Sequence, residues 1–464
     1  TWDSQGRLCF GSTSGPEFGL WEIQANGTIK ALSKEANGST SRRIPSSHLP
    51  NGRVLLATIR KRWDTWGDER VVAIGPADGT EKVLLNDAAD ARYLPTGHLV
   101  FLRRGVLLAA PFDASRLEIT GDAVPLLDSV AQAIQLGSAS NSMAGQYGVS
   151  SKGDLAWVQA SVRRSSEREL VRVDRQGKVT ELPCPRRSYA TGVRVSPDGT
   201  ALAVSVSTLT DYGIWTCDLG SGLLSHVAGG DEADSPLWSA DGKLLYYLRL
   251  KDGQFAAAVQ TLGQLGEPRV LPTWGIPASL TRDGHMATAR DMDIMLMPLD
   301  DSRPSEQPLL ATSSAEACPD VSPDGRWLAY GSDRTGRTEV YVQPYPGPGP
   351  TQQVSIEGGN YPVWNPNGRE LFFVAGLNSA DRRRLMVAQF ANGSFRGRPE
   401  PLFEFDPREL RIGGGWVRHY DVAKDGRGFY AMRVLPVSPL PPITHINLIQ
   451  NWFEELKAKV PVGK

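Results

Sequence analysis

Asp or Asn stands directly before a glycine seven times at a near-regular spacing, as Asn51, Asp198, Asp241, Asp283, Asp324, Asn367 and Asp425. Carboxylates repeated around an axis are one way to hold a hard cation, which takes oxygen ligands. Asp-Gly also has a simpler chemistry. The carboxylate accepts hydrogen bonds from its own backbone, and glycine supplies the positive φ of a tight turn. Each pair lies between short apolar runs, where a hairpin needs such a turn, so the turn reading is preferred. The tryptophans Trp2, Trp238 and Trp364 share one position of the same pattern and read as packing rather than a ligand cage. The six histidines, His48, His98, His226, His285, His419 and His445, show no zinc-ligand spacing. Gly11-Ser12-Thr13-Ser14-Gly15 is a chance likeness to a hydrolase elbow, because threonine holds the nucleophile's place. Residues 60–68 combine cations with indoles, which suits a contact surface. Arg62, Trp63, Trp66 and Asp68 are the candidate contact residues there. Arg382-Arg383-Arg384 reads as a solvated turn. No residue set calls for a cofactor or a metal.

The elements that would carry these residues are short strands. Between Ala317 and Val374 the chain states a unit and begins it again. Val321 precedes Ser-Pro-Asp and Gly325, and the apolar run Trp327–Tyr330 follows. Then come a polar turn and Val340-Tyr341-Val342, and Trp364 to Gly368 restarts the pattern. The runs are aromatic and β-branched, bounded by turns, and too short for buried helices.

The turn glycine recurs as Gly6, Gly52, Gly97, Gly153, Gly199, Gly242, Gly284, Gly325, Gly368 and Gly426. Four places earlier stand Trp2, His48, Tyr93, Val149, Val195, Trp238, Leu280, Val321, Trp364 and Val422, apolar or aromatic in all but His48. The period of about 42–46 residues is that of a four-stranded propeller blade. Two longer intervals, 113–146 and 392–418, read as loop insertions. The last copy supplies Phe429–Met432 as its second strand and 443–448 as its third, then enters a short amphipathic helix at Trp452. It lacks an outer strand. An unpaired edge is a liability, and 178–182 is the expected donor.

These observations define an all-β chain, a β-propeller of about ten four-stranded units. Copies five to ten would close a six-bladed ring, and copies one to four would belong to a preceding ring; one large ring is the alternative. The expected divisions are 1–177, 178–450 and a tail at 451–464. Structural turns are assigned to Gly199, Gly242, Gly284, Gly325, Gly368 and Gly426.

The 464 residues are 40% hydrophobic and 22% charged, which supports a packed core and argues against disorder. A net charge of −1 argues against a nucleic-acid partner. No apolar stretch reaches membrane-spanning length. The four cysteines, Cys9, Cys184, Cys217 and Cys318, show no CxxC spacing and read as isolated residues, although a disulfide stays open.

Ser322-Pro323-Asp324-Gly325-Arg326-Trp327-Leu328-Ala329-Tyr330 resembles the repeat signature of TolB-like propellers. Val195–Gly199 and Trp238–Gly242 match it too. Glu339–Pro346, the strand at Gln353 with Gly358-Gly359, and 364–373 are similar to the propeller region behind bacterial serine/threonine kinases. The tail Asn451–Leu456 resembles the ending of such proteins. The resemblance implies a sensory or scaffolding module outside the cytoplasm, with a protein or small-ligand partner and a membrane anchor only in sequence upstream of Thr1. No kinase motif is present in these residues. Propellers also gate prolyl-oligopeptidase-like enzymes, but no βα alternation of their catalytic domain appears here. The competing expectation is a propeller hydrolase or lyase. Ionisable groups of mutually perturbed pKa in the central channel would favour it.

Overall fold

The computed structural model describes residues 1–2, 6–12, 19–34, 42–50, 52, 54–60, 69–75, 80–133, 142–159, 167–207, 212–229, 232–251, 254–264, 266–300, 306–347, 349–379, 382–415, 417–436 and 443–462. The chain forms two compact units. The first holds Thr1–Ser165 and Ser438–Lys464, with 252–254 grouped to it, and the second holds Ser166–Lys251 and Phe255–Val437.

The second unit is a β-propeller of six antiparallel blades. Blade I runs Arg194–Val195, Ala201–Ser207, Tyr212–Asp218, Leu224–Ala228. Blade II is Glu232–Trp238, Leu244–Lys251, Gln254–Thr261, Arg269–Val270. Blade III is Ile276–Leu280, His285–Arg290, Asp293–Pro298, Gln307–Leu310. Blade IV is Glu316–Val321, Trp327–Ser332, Glu339–Pro344, Gln352–Gln353. Blade V is Asn360–Trp364, Glu370–Ala375, Arg383–Ala391, Ser394–Phe405. Each first strand packs beside the first strand of the next blade, and Asp421–Val422 of blade VI returns to Arg194–Val195.

Blade VI closes the ring with strands from both ends of the unit. Asp421–Val422 and Gly428–Val434 pair with each other, and Gly428–Val434 then pairs with Arg168–Asp174 in the register Val171↔Ala431. Val179–Glu181 adds the outer strand. The donor is therefore two strands rather than 178–182 alone. The run Leu170–Val173, the second apolar run after Gly153, does not belong to the sheet that starts at Tyr147 and is the third strand of blade VI. The segment expected there, 443–448, is displaced to the first unit, where Asn447–Ile449 pairs with Leu155–Trp157. Both segments have the alternation of a strand, and alternation does not name the partner.

The first unit carries four sheets. They start from Leu8–Ser12, Arg42–His48, Ala89–Leu94 and Tyr147–Val149. The C-terminal helix Trp452–Lys459 buries Trp452 and Leu456 against Val100, Leu107 and Leu155. The buried His98 holds the helix end through Nε2 and the Val460 carbonyl, 2.6 Å apart.

All ten turn glycines have positive φ, from +63° to +93°. The turn is a small closed circuit. Ser322 donates its hydroxyl to Asp324 Oδ1 at 2.6 Å, the Arg326 amide donates to the same oxygen at 3.1 Å, and the Trp327 amide donates to Ser322 Oγ at 2.9 Å. Ser196–Asp198 and Ser239–Asp241 repeat it. Turn donors thus occupy the acidic corners that could have suggested a cation site. Trp238 and Trp364 are buried between blades, whereas Trp2 is 67% exposed.

The two long intervals are not simple loops. The first holds Val124–Leu127, which pairs with Val106–Asp113, and the second holds the twelve-residue outer strand Ser394–Phe405. Cys184 and Cys217, expected as isolated, form a disulfide with Cα atoms 6.1 Å apart. One follows the closing strand Val179–Glu181 and the other ends the third strand of blade I, a proximity that sequence spacing cannot show.

Candidate functional site

The first strands of the second unit line its axis, and their residues come in register. One place before the repeat's apolar position stand Arg194, Leu237, Ser279, Asp320, Val363 and Asp421. A first strand has its second strand on one side only, so its other edge leaves amides without a ladder partner. Side chains of this register position satisfy some of them across the blade boundary. The Val195 amide donates to Asp421 Oδ2 at 3.0 Å, Val321 to Ser279 Oγ at 3.0 Å, and Trp364 to Asp320 Oδ2 at 2.8 Å. The indole of Trp238 donates to the Arg194 carbonyl at 3.0 Å.

Several first strands bulge just before this position, at 234–237, 277–279, 317–320 and 360–363. Pro236, Pro277, Pro319 and Pro362 lie in the bulges, where no ladder donor is required. Ser235, Cys318 and Tyr361 take positive φ there.

An ion pair crosses that axis. Arg418 Nη1 lies 2.8 Å from Asp320 Oδ1, both residues buried, and Arg418 Nη2 lies 3.8 Å from Asp421 Oδ1. Arg194 donates through Nη1 to its neighbour Val193 O at 2.9 Å and to Arg418 O at 3.4 Å. A cavity of ≈ 20 Å³ remains among Arg194, Pro277, Cys318 and Arg418, room for about one water. Burial alone would lower the Arg418 pKa; Asp320 and Asp421 reverse this and hold it above the ordinary value. Burial, with the like charge of Arg418, brings Arg194 down to about 9, so it stays cationic at neutral pH. Burial pushes the Cys318 thiol up to about 12, which leaves it a poor nucleophile.

Past the ion pair, the strand order of blade VI is interrupted. Leu410–Arg411 pairs with Gly428–Val434 where a first strand should begin. The chain then leaves as the hairpin Gly413–Gly414 with Val417–Arg418 and re-enters at Asp421. Tyr361 packs under this hairpin and donates its hydroxyl to Gly415 O at 3.0 Å. A Cβ on Gly413 would lie 2.3 Å from the Tyr361 ring, so only glycine fits there. Arg383 Nη1 donates to Gly413 O at 3.1 Å. His419 is 2% exposed, and neither ring nitrogen has a partner among the described residues. Burial, then Arg411, Arg168 and Arg194, hold its pKa well below the usual range.

The candidate contact residues Arg62, Trp63, Trp66 and Asp68 lie outside the described residues. The loop springs from a buried pair, Arg60 Nε and Glu69 Oε1, 3.9 Å apart, so Arg60 belongs to the core and not to a contact face. The exception His48 places Nε2 3.5 Å from Cys9 Sγ of the neighbouring sheet. Arg382 is exposed and meets Glu404 at 3.1 Å, but Arg383 turns inward to the hairpin, which corrects the expectation of a solvated triplet. The axial residues Arg194, Asp320, Arg418 and His419 were missed as a site. The signal available was their place one, three or four positions before the repeat's apolar residue.

No family model and no curated protein sequence matches this chain. Among solved structures it is similar to a putative TolB from Agrobacterium tumefaciens, at 23% identity and a TM-score of 0.46, over 60% of this chain and 100% of that one. It is also similar to TolB from Acinetobacter baumannii, at 18% identity and a TM-score of 0.37, over 56% of this chain and 65% of that one. Prolyl oligopeptidase B from Galerina marginata matches at 11% identity and a TM-score of 0.37, over 86% of this chain and 56% of that one. The sheets and their cyclic order make this chain a β-propeller protein.

Proposed function

We propose that this chain is a non-catalytic binding or scaffolding module of a larger bacterial signalling protein, working outside the cytoplasm. One observation carries the non-catalytic part. The channel does hold ionisable groups of mutually perturbed pKa, the feature that would favour an enzyme. Their oxygens, however, are committed to strand amides and to Arg418. Asp320 serves Arg418 and the Trp364 amide, and Asp421 serves the Val195 amide. Groups that hold blades together need no turnover to explain them, since structural ion pairs perturb pKa values as active sites do.

Incubation of the full chain with peptide, ester and phosphate-ester substrates tests this reading. The expected result is no turnover. Turnover that Asp320→Asn abolishes in a folded protein would overturn it.

The location has its own support in the Cys184–Cys217 disulfide, since such bonds persist in oxidising compartments. Trapping thiols by alkylation in intact cells should find this pair oxidised; a reduced pair contradicts the location. The link to a kinase rests on the resemblance of 339–373. The reading frame ahead of Thr1 tests it, with a kinase and a membrane span expected there.

A further inference from the structure

The paired strands Gly413–Gly414 and Val417–Arg418 gather cationic and polar groups that the axial network does not use. Arg383 reaches it through Gly413 O at 3.1 Å. A Cβ on Gly414 would stand 3.9 Å from Arg411 Nη2, 3.6 Å from His419 Cε1 and 3.9 Å from His419 Nδ1. Arg411 and His419 therefore flank the same backbone position. Among the described residues, neither Arg383 nor Arg411 is paired with a carboxylate. The nearby acids are engaged elsewhere: Asp320 and Asp421 with Arg418, Glu404 with Arg382, and Glu357 with Arg384. Among the described residues, Arg383 Nε and both nitrogens of His419 are buried without a partner.

Buried donors without acceptors are uncommon, and each costs free energy unless something satisfies it. Burial and then the like charge of Arg383 hold the Arg411 pKa below its ordinary value, so the two guanidiniums add to that cost. A bound anion would relieve both. Guanidinium forks match carboxylate and phosphate oxygens in geometry as well as charge. A neutral imidazole adds one N–H donor. The surrounding backbone is three glycines, so an oxygen could approach it closely.

We propose that Arg383, Arg411 and His419, with the paired strands Gly413–Gly414 and Val417–Arg418, form a site for an oxyanion, a carboxylate or a phosphate group carried by the module's ligand. The inference rests on the reading of the second unit as a binding module and names the chemistry of what it binds. Arg383 and Arg411 supply the charge and the forks, and His419 orients the anion through its ring N–H. The paired Arg418 beneath is part of the scaffold and takes no share.

The test is isothermal titration of the full chain with inorganic phosphate and, separately, with succinate, at constant ionic strength held with chloride. Saturable binding of one or both is expected, and which of them binds tighter separates a phosphorylated from a carboxylated source. Arg411→Gln and Arg383→Gln should each weaken it at least about tenfold, as loss of a charged hydrogen bond does. Arg382→Gln, which removes an exposed neighbouring charge, should leave it unchanged. Melting temperatures of the three variants show that the fold is kept. The site is overturned if neither anion binds saturably, if the two inner variants bind like the parent, or if Arg382→Gln weakens binding equally. None of these outcomes touches the non-catalytic reading, which fails only on turnover.

Discussion

Arg418 and Asp320 meet across the axis of the six-bladed unit, 2.8 Å apart, from blades VI and IV with blade V between them. Few single contacts in a propeller can tie non-neighbouring blades, because each blade otherwise packs only against the next. Asp320 extends the tie by accepting the Trp364 amide of blade V, so three blades share one carboxylate. Removing one partner strands a buried charge. Arg418→Met should cost about 3–5 kcal/mol in urea unfolding, whereas the pair Arg418→Met with Asp320→Leu should recover most of the ionic part. A single variant as stable as the parent would show that the pair contributes nothing to closure.

Closure depends on Arg168–Asp174 more than on the outer strand. Val171 is fully buried, while Thr180 on the outer strand is exposed. Val171→Asp should destabilise the second unit by more than about 3 kcal/mol, since it buries an unpaired charge. Thr180→Asp should change stability by no more than about 0.5 kcal/mol. Denaturant midpoints of the two variants decide it, and equal effects would place the seam elsewhere.

The disulfide reinforces the same seam. Cys184 follows the outer strand of blade VI and Cys217 lies on blade I, 33 residues apart in sequence. A loop of that length gives a stabilisation of about 3–4 kcal/mol in the chain-entropy model. Urea unfolding with and without a reductant should show a loss of that order, and Cys184→Ser with Cys217→Ser should reproduce it. Insensitivity to reductant would mean that strand pairing alone holds the ring.

What could be read from the chain, and what could not, follows from sequence distance. Val321 and Gly325 lie within one turn, so their spacing states the turn and the start of the next strand. The blade count followed from it. Pairing of Asn447–Ile449 with Leu155–Trp157, or of Arg168–Asp174 with Gly428–Val434, joins segments hundreds of residues apart. Nothing local marks such partners, because any alternating strand fits any open edge. Arg411 and His419 were hidden for another reason. They lie in one of the two long spacings, that between Gly368 and Gly426, and the hairpin that interrupts the first strand of blade VI is what brings them together.

His419 gives a test by pH. Its folded pKa lies well below the usual value, because burial and then Arg411, Arg168 and Arg194 oppose a further positive charge. In the unfolded chain the imidazole titrates near the ordinary value of about 6.5. Below that pH the unfolded state takes up a proton that the folded state refuses, so stability drains away as pH falls. The contribution is complete above about 6.5 and is lost on the acid side at a rate of up to about 1.4 kcal/mol per pH unit. Urea midpoints at pH 7, 6 and 5 should therefore fall for the parent protein and fall less for His419→Gln. The difference between the two curves isolates this residue from the other histidines, which are common to both. Parallel curves would mean that His419 takes up its proton alike in the folded and unfolded chains, and the cationic surroundings assigned to it would then be wrong.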